Sequence, residues 1–140
     1  LYAAAQIAGC VAGVILAHAM FSMPLLQQSL HDRSGGPLML SEAVAAFALV
    51  ATILLVSSAR PQSTAAAVSL VIAAGYWWTA STSFANPAIT IARALSDTFA
   101  GIRPEDVPWF IIAQLGGALA AAAVCGWLIG AKRVTPGTDI

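Results

Sequence analysis

The chain has 140 residues, 59% of them hydrophobic and only 9% charged, with a mean hydropathy of +0.84. A soluble domain carries about 25% charged residues, so this composition excludes an ordinary water-soluble domain and fits one small membrane bundle. Six basic residues balance six acidic ones, which leaves no basic stripe for nucleic acid and no acidic tail for a charged partner.

A bilayer-crossing helix needs about 20 apolar residues. The first such stretch, 1–22, begins at Leu1 without the basic lead and small-residue cleavage site of a secretory signal. It reads as the interior of a larger protein. His18, near its end, is expected to reach the membrane interface. A second span covers 39–59 and a third, less apolar but uncharged, covers 64–82. The last covers 107–131. Its Trp109 and Trp127 stand about 27 Å apart along a helix axis, which suits one indole at each interface. Charges gather between the spans, at His31-Asp32-Arg33, at Arg60 and from Arg103 to Asp106, and after the last at Lys132 and Arg133 in a polar tail, 132–140. If Leu1 is cytoplasmic, Arg60, Lys132 and Arg133 fall inside and Arg33 and Arg103 outside, a slight positive-inside lean. Cys10 and Cys125 sit in apolar runs with no spacing for a metal site or a disulfide.

Small residues mark candidate helix contacts at Gly9-xxx-Gly13, Gly117-xxx-Ala121 and Gly126-xxx-Gly130. A short repeat also stands out. Ala5-Gln6-Ile7-Ala8-Gly9 recurs as Ala113-Gln114-Leu115-Gly116-Gly117, each near the start of a span. Duplicated halves are a common transporter design. A duplication would place a twin of Asn86 about 22 residues before Leu1.

The most informative segment is Asn86-Pro87-Ala88. Asn is among the best N-caps, and Pro is favoured at the first helical position because it has no amide hydrogen there. A helix is therefore predicted from Pro87 to about residue 100, with Gly101 and Pro104 as its stop. About 14 residues reach roughly 21 Å, too short to cross a bilayer. With no charged linker before it, this half-helix is expected to re-enter the membrane. Backbone broken at that depth is tolerated only where protein buries it or water wets it. A helix N-terminus there repels cations, and the Asn86 amide can donate to the oxygen of a neutral molecule. The combination suits a path for small uncharged solutes.

These residues resemble the aquaporin, or major intrinsic protein, family over essentially the whole chain. The Ala-Gln starts at residues 5 and 113 look like that family's third and sixth spans, Ser41 to Phe47 looks like its fourth, and Asn86-Pro87-Ala88 looks like its second re-entrant turn. The stretch from there to Ile102 is most similar to a bacterial branch associated with arsenic resistance. The resemblance implies an all-α membrane domain at 1–131 with about four transmembrane helices and one re-entrant half-helix. It further implies a homotetramer of the full-length protein, no cofactor, no metal, and a multi-pass place in a bacterial plasma membrane. Its pore turn would be Asn86, Pro87 and Ala88, and Glu42 would support the re-entrant loops by accepting hydrogen bonds from their backbone.

One departure bears on the solute. Water-selective members carry Arg directly after the second Asn-Pro-Ala, where this chain has Ile89. The other constriction positions fall at Ala74 and Ser83. Ala, Ser and Ile form an apolar, roomy set without a fixed cation. That disfavours a strict water filter and suits polyols such as glycerol, or neutral metalloid hydroxides such as arsenous acid, with water a further candidate. Arg93 shares a helix face with Asn86 and Thr90, which would let it stand over the pore mouth as a displaced filter charge; the favoured reading is that Asp97 neutralises it as an i,i+4 pair bracing the half-helix. Arg93 is not expected to be the size gate.

The sequence offers no nucleophile–base grouping, metal-ligand spacing or phosphate loop for an enzyme. The alternative is a secondary transporter, because repeats and broken helices also build carriers. Coupled carriers, however, use ionisable groups deep in their spans, and none is evident.

Overall fold

A computed structural model describes residues 1–134, and all their regular structure is helical. Residues 135–140 of the expected tail lie outside them. The helices are α1 (Tyr2–Met20), α2 (Gly36–Ala59), α3 (Thr64–Trp78), α4 (Pro87–Arg93) and α5 (Val107–Val134). Proline sets the start of several: Pro37 and Pro87 lie in the first turns of α2 and α4, and 3₁₀ turns opened by Pro61 and Pro104 lead into α3 and α5.

Three segments are long and apolar enough to cross a membrane, Tyr2–Met20, Gly36–Ala59 and Pro104–Ala131. The fourth expected span is shorter than read from sequence. α3 has 15 residues, about 22 Å, and ends at Trp78 instead of 82. The Thr79 hydroxyl donates back to the Gly75 carbonyl at 2.6 Å. Beyond it Thr82, Ser83 and Ala85 take positive φ angles of 63, 47 and 47°, which no helix accommodates.

α2 is the hub, packed along α5 and beside α3, while the short α4 is wedged between α1 and α5. The buried apolar centre is small. Phe84, Ile102 and Phe110 form it, with Leu38, Met39, Ala94 and Val107 around them. Phe84 and Phe110 meet at tilted rings, 5.4 Å between centroids. The irregular loop before α4 therefore contributes a core aromatic of its own. Leu16, Leu70, Trp77, Leu119 and both Trp109 and Trp127 remain exposed, an apolar exterior suited to lipid.

Of the small-residue pairs, only one serves helix packing among the described residues. A side chain added at Gly117 would run into the Ala43 backbone on α2, and Ala121 one turn on is fully buried. Gly9, Gly13, Gly126 and Gly130 face open space. Gly117→Leu is expected to cost about 1–3 kcal/mol by forcing α2 and α5 apart, read as a lowered unfolding temperature in detergent. Gly116→Leu, where nothing lies within 4 Å, should leave that temperature unchanged.

Candidate functional site

Asn86 adopts an extended conformation, and the Ala88 N–H donates to its Oδ1 at 2.8 Å, with Pro87 in the first helical position. Cap and proline do locally what those residue types favour. Asn86 is only half-buried, and its Nδ2 donates to no group among the described residues. Ala88 is buried inside the turn.

The loop leading down to Asn86 is strained at Thr82, Ser83 and Ala85. Non-glycine residues with such angles cost on the order of 1–3 kcal/mol each and persist only where surroundings fix them. Three residues provide the fixing. Glu42, fully buried on α2, accepts the Phe84 N–H on Oε1 at 2.9 Å and the Ala85 N–H on Oε2 at 3.0 Å. Ser41 accepts the Ser81 N–H at 3.1 Å. Arg33 donates to the Ser81 carbonyl at 2.8 Å.

The Glu42 network continues into α5 and α4. Gln114 Nε2 donates to Glu42 Oε2 at 2.7 Å and to Thr90 Oγ1 at 2.8 Å, and Thr90 Oγ1 donates to the Asn86 carbonyl at 2.9 Å. Of the two copies of the Ala-Gln repeat, one thus enters the site. The other does not: Gln6 is exposed and among the described residues meets only Tyr2, at 3.4 Å.

The half-helix is shorter than expected, seven residues instead of about 14. It stops at Arg93 because the chain then turns to bind the segment between α1 and α2. The Ser29 N–H donates to Ala94 O at 2.9 Å, and the Leu30 N–H to Asp97 Oδ1 at 2.9 Å. The Asp97 N–H donates to Gln27 Oε1 at 3.1 Å. The expected Arg93–Asp97 pair is therefore absent: no helical turn joins them, and Asp97 serves Leu30. His18 also departs from expectation. It is buried rather than interfacial, its Nδ1 3.0 Å from the Leu25 carbonyl and its Nε2 3.0 Å from Ser96 Oγ. A carbonyl can only accept, so Nδ1 carries a proton.

Arg33 is the residue that sequence reasoning missed. It is 3% exposed and spends its fork on three carbonyls, those of Gly101 (2.6 Å), Ser81 (2.8 Å) and Phe99 (2.9 Å). It thereby ties the chain entering the half-helix to the chain leaving it. Burial first, then the nearby Arg93 charge, pulls its pKa below the usual arginine range, yet a guanidinium stays charged in proteins. In the sequence it is one of three adjacent polar residues, and nothing there distinguishes it from His31 or Asp32. Asp32 instead pairs at the surface with Arg103 at 3.1 Å, and Arg103 pairs with Asp106 at 2.8 Å.

The three expected constriction residues are placed differently from one another. Ser83 is buried against α3, where a side chain on Gly75 would press on its Oγ, and Ala74 lies exposed beside that glycine. Ile89, half-buried, lines a groove of about 220 Å³ with Cys10, Val14, Ala17 and Arg93. Cys10 and Cys125 are free.

A buried acid holding a broken loop, an Asn-Pro cap and a half-helix wedged among apolar spans define a membrane protein with a re-entrant segment. The family profile described as Major intrinsic protein matches residues 56–138, and the chain belongs to that family. It is 51% identical over 132 residues to "Aquaglyceroporin AqpS" of Rhizobium meliloti (strain 1021), covering 94% of this chain. The chain spans 57% of that relative's length. No solved structure matches it.

Replacing Glu42 by Gln keeps its size but sets an amide donor against donors already present. The expected loss is about 1.5–3 kcal/mol, typical of hydrogen bonds to charged groups. Thermal unfolding should reveal it, and restoring the pairing through Gln114→Glu should recover part of the loss.

Proposed function

We propose that this chain forms half of a passive channel for small uncharged solutes, crossing a bacterial plasma membrane several times and working as part of a homotetramer. Glycerol-like polyols and metalloid hydroxides such as arsenous acid are the solutes it suits, with water a further one. The observation that carries this reading is Asn86: its Oδ1 is spent on capping α4 while its Nδ2 has no partner among the described residues. A half-buried amide with one donor group unused can bind an oxygen of a neutral solute and release it again, at little cost. The half-helix N-terminus behind it adds a partial positive charge, which opposes cations. The name of the Rhizobium relative, an aquaglyceroporin, supports a path of glycerol size.

Pro87 and Ala88 shape the turn, and Ala74, Ser83 and Ile89 set its apolar neighbourhood. Glu42 acts as the loop's support. The buried ionisable groups speak against the rival reading of a coupled carrier. Glu42, His18 and Arg33 each hold backbone or side-chain partners, so none stands open to bind and release a driving ion.

The test is reconstitution of the full protein in vesicles. Glycerol and water entry would be followed by light scattering and arsenous acid by arsenic uptake. Wild-type flux is expected to be non-saturating and independent of a proton gradient. Ile89→Arg should cut glycerol and arsenous acid entry about tenfold, equal to about 1.4 kcal/mol of barrier, with water entry retained. Saturable, proton-driven flux would favour the carrier and refute the channel.

A further inference from the structure

Arg93 closes α4, one turn after Ile89. Helical side chains lean toward the helix N-terminus, and its guanidinium accordingly returns toward the Asn86 end. It stacks over Phe84, with Cζ 4.2 Å from the ring centroid, and reaches α3, with Cζ 5.9 Å from the Tyr76 ring. Its polar contacts are poor. Nη2 donates to Tyr76 Oη at a long 3.5 Å, and Nη1 has no partner among the described residues.

No carboxylate among the described residues neutralises it. Asp97 is engaged with Leu30, both Glu42 oxygens are occupied by Phe84, Ala85 and Gln114, and the ion pairs among the described residues are those of Arg103. A second guanidinium, that of Arg33, lies 4.8 Å from the same Phe84 ring, which adds positive potential rather than cancelling it. A charge left uncompensated within a membrane protein is costly and marks function by default. Arg93 also lines both the groove beside Ile89 and a second cavity of about 420 Å³ that includes His18, Ser96 and Thr98. The other residues common to both, Val14 and Ala17, are apolar.

We propose that Arg93 is the charge filter of the path, a fixed and unmatched cation beside the half-helix that bars cations while neutral hydroxylated solutes pass. It selects by charge and not by size. This rests on the neutral-solute reading above. The aliphatic residue after Asn-Pro-Ala then leaves the path with a cation after all, one helical turn further along. Phe84 and Tyr76 hold its guanidinium by their ring faces, so no carboxylate is needed to position it.

The test uses the full protein in vesicles, comparing wild type with Arg93→Met, Arg93→Gln and Arg93→Lys. Glycerol entry is read by light scattering. Proton and sodium entry under an imposed potential are read by fluorescent dyes. Removing the charge in the Met and Gln variants should raise cation entry by about tenfold or more, with glycerol entry changed by less than about twofold. The Lys variant should exclude cations as wild type does. Cation entry unchanged in the Met and Gln variants, with glycerol flux intact, would overturn the proposal. So would a sharp rise in the size of solute admitted. If neither neutral variant inserts as wild type does, Arg93 is a structural residue and the proposal falls. Absence of wild-type glycerol flux would instead overturn the channel reading on which it rests.

Discussion

The structure turns on one buried carboxylate. A chain that breaks its helical pattern inside an apolar bundle leaves amides that neither lipid nor water can satisfy, and Glu42 accepts two of them, from Phe84 and Ala85. A carboxylate suits this because it is acceptor-only, with two oxygens and about four lone-pair sites. Its remaining capacity goes to Gln114, which passes the connection through Thr90 to the Asn86 carbonyl. One side chain on α2 thereby couples the loop, the half-helix and α5. The burial of its charge is offset by three donors, and a neutral isostere could not match all of them.

Arg33 complements this from the opposite side. Glu42 takes the loop's donors, whereas Arg33 supplies its carbonyls with partners on both flanks of α4. The segment between α1 and α2, unremarkable by composition, so becomes part of the site. It lies along residues 94–106 through Ser29, Leu30, His31 and Arg33. A half-helix of seven residues would be marginal alone. Here it is stabilised by the two buried charges that flank it and by the ring of Phe84 between guanidiniums and core.

What was legible in the sequence follows from how local each signal is. Long apolar runs reported the spans α1, α2 and α5, and Asn-Pro reported the start of α4, because hydropathy and capping are properties of neighbouring residues. The resemblance of Ser41 to Phe47 singled out Glu42, which the geometry sets against the loop. α4 ends before the expected stop at Gly101, a good local signal, because its actual stop depends on contacts with residues 27–30, far away in sequence. For the same reason Asp97 looked like a helical partner of Arg93 and His18 like an interfacial residue. Arg33 left no signal at all: its three carbonyl partners lie 48 to 68 positions further along the chain, and a charge between spans ordinarily faces water.

Hydrogen–deuterium exchange of the full protein in bilayers, followed on the peptide containing Phe84 and Ala85, tests the role of Glu42 most directly. With Glu42 intact these amides should exchange as slowly as those of α2. In Glu42→Gln they should exchange markedly faster while α2 and α5 stay protected. Equal protection of the loop in both proteins would contradict the view that this carboxylate holds the re-entrant segment in place.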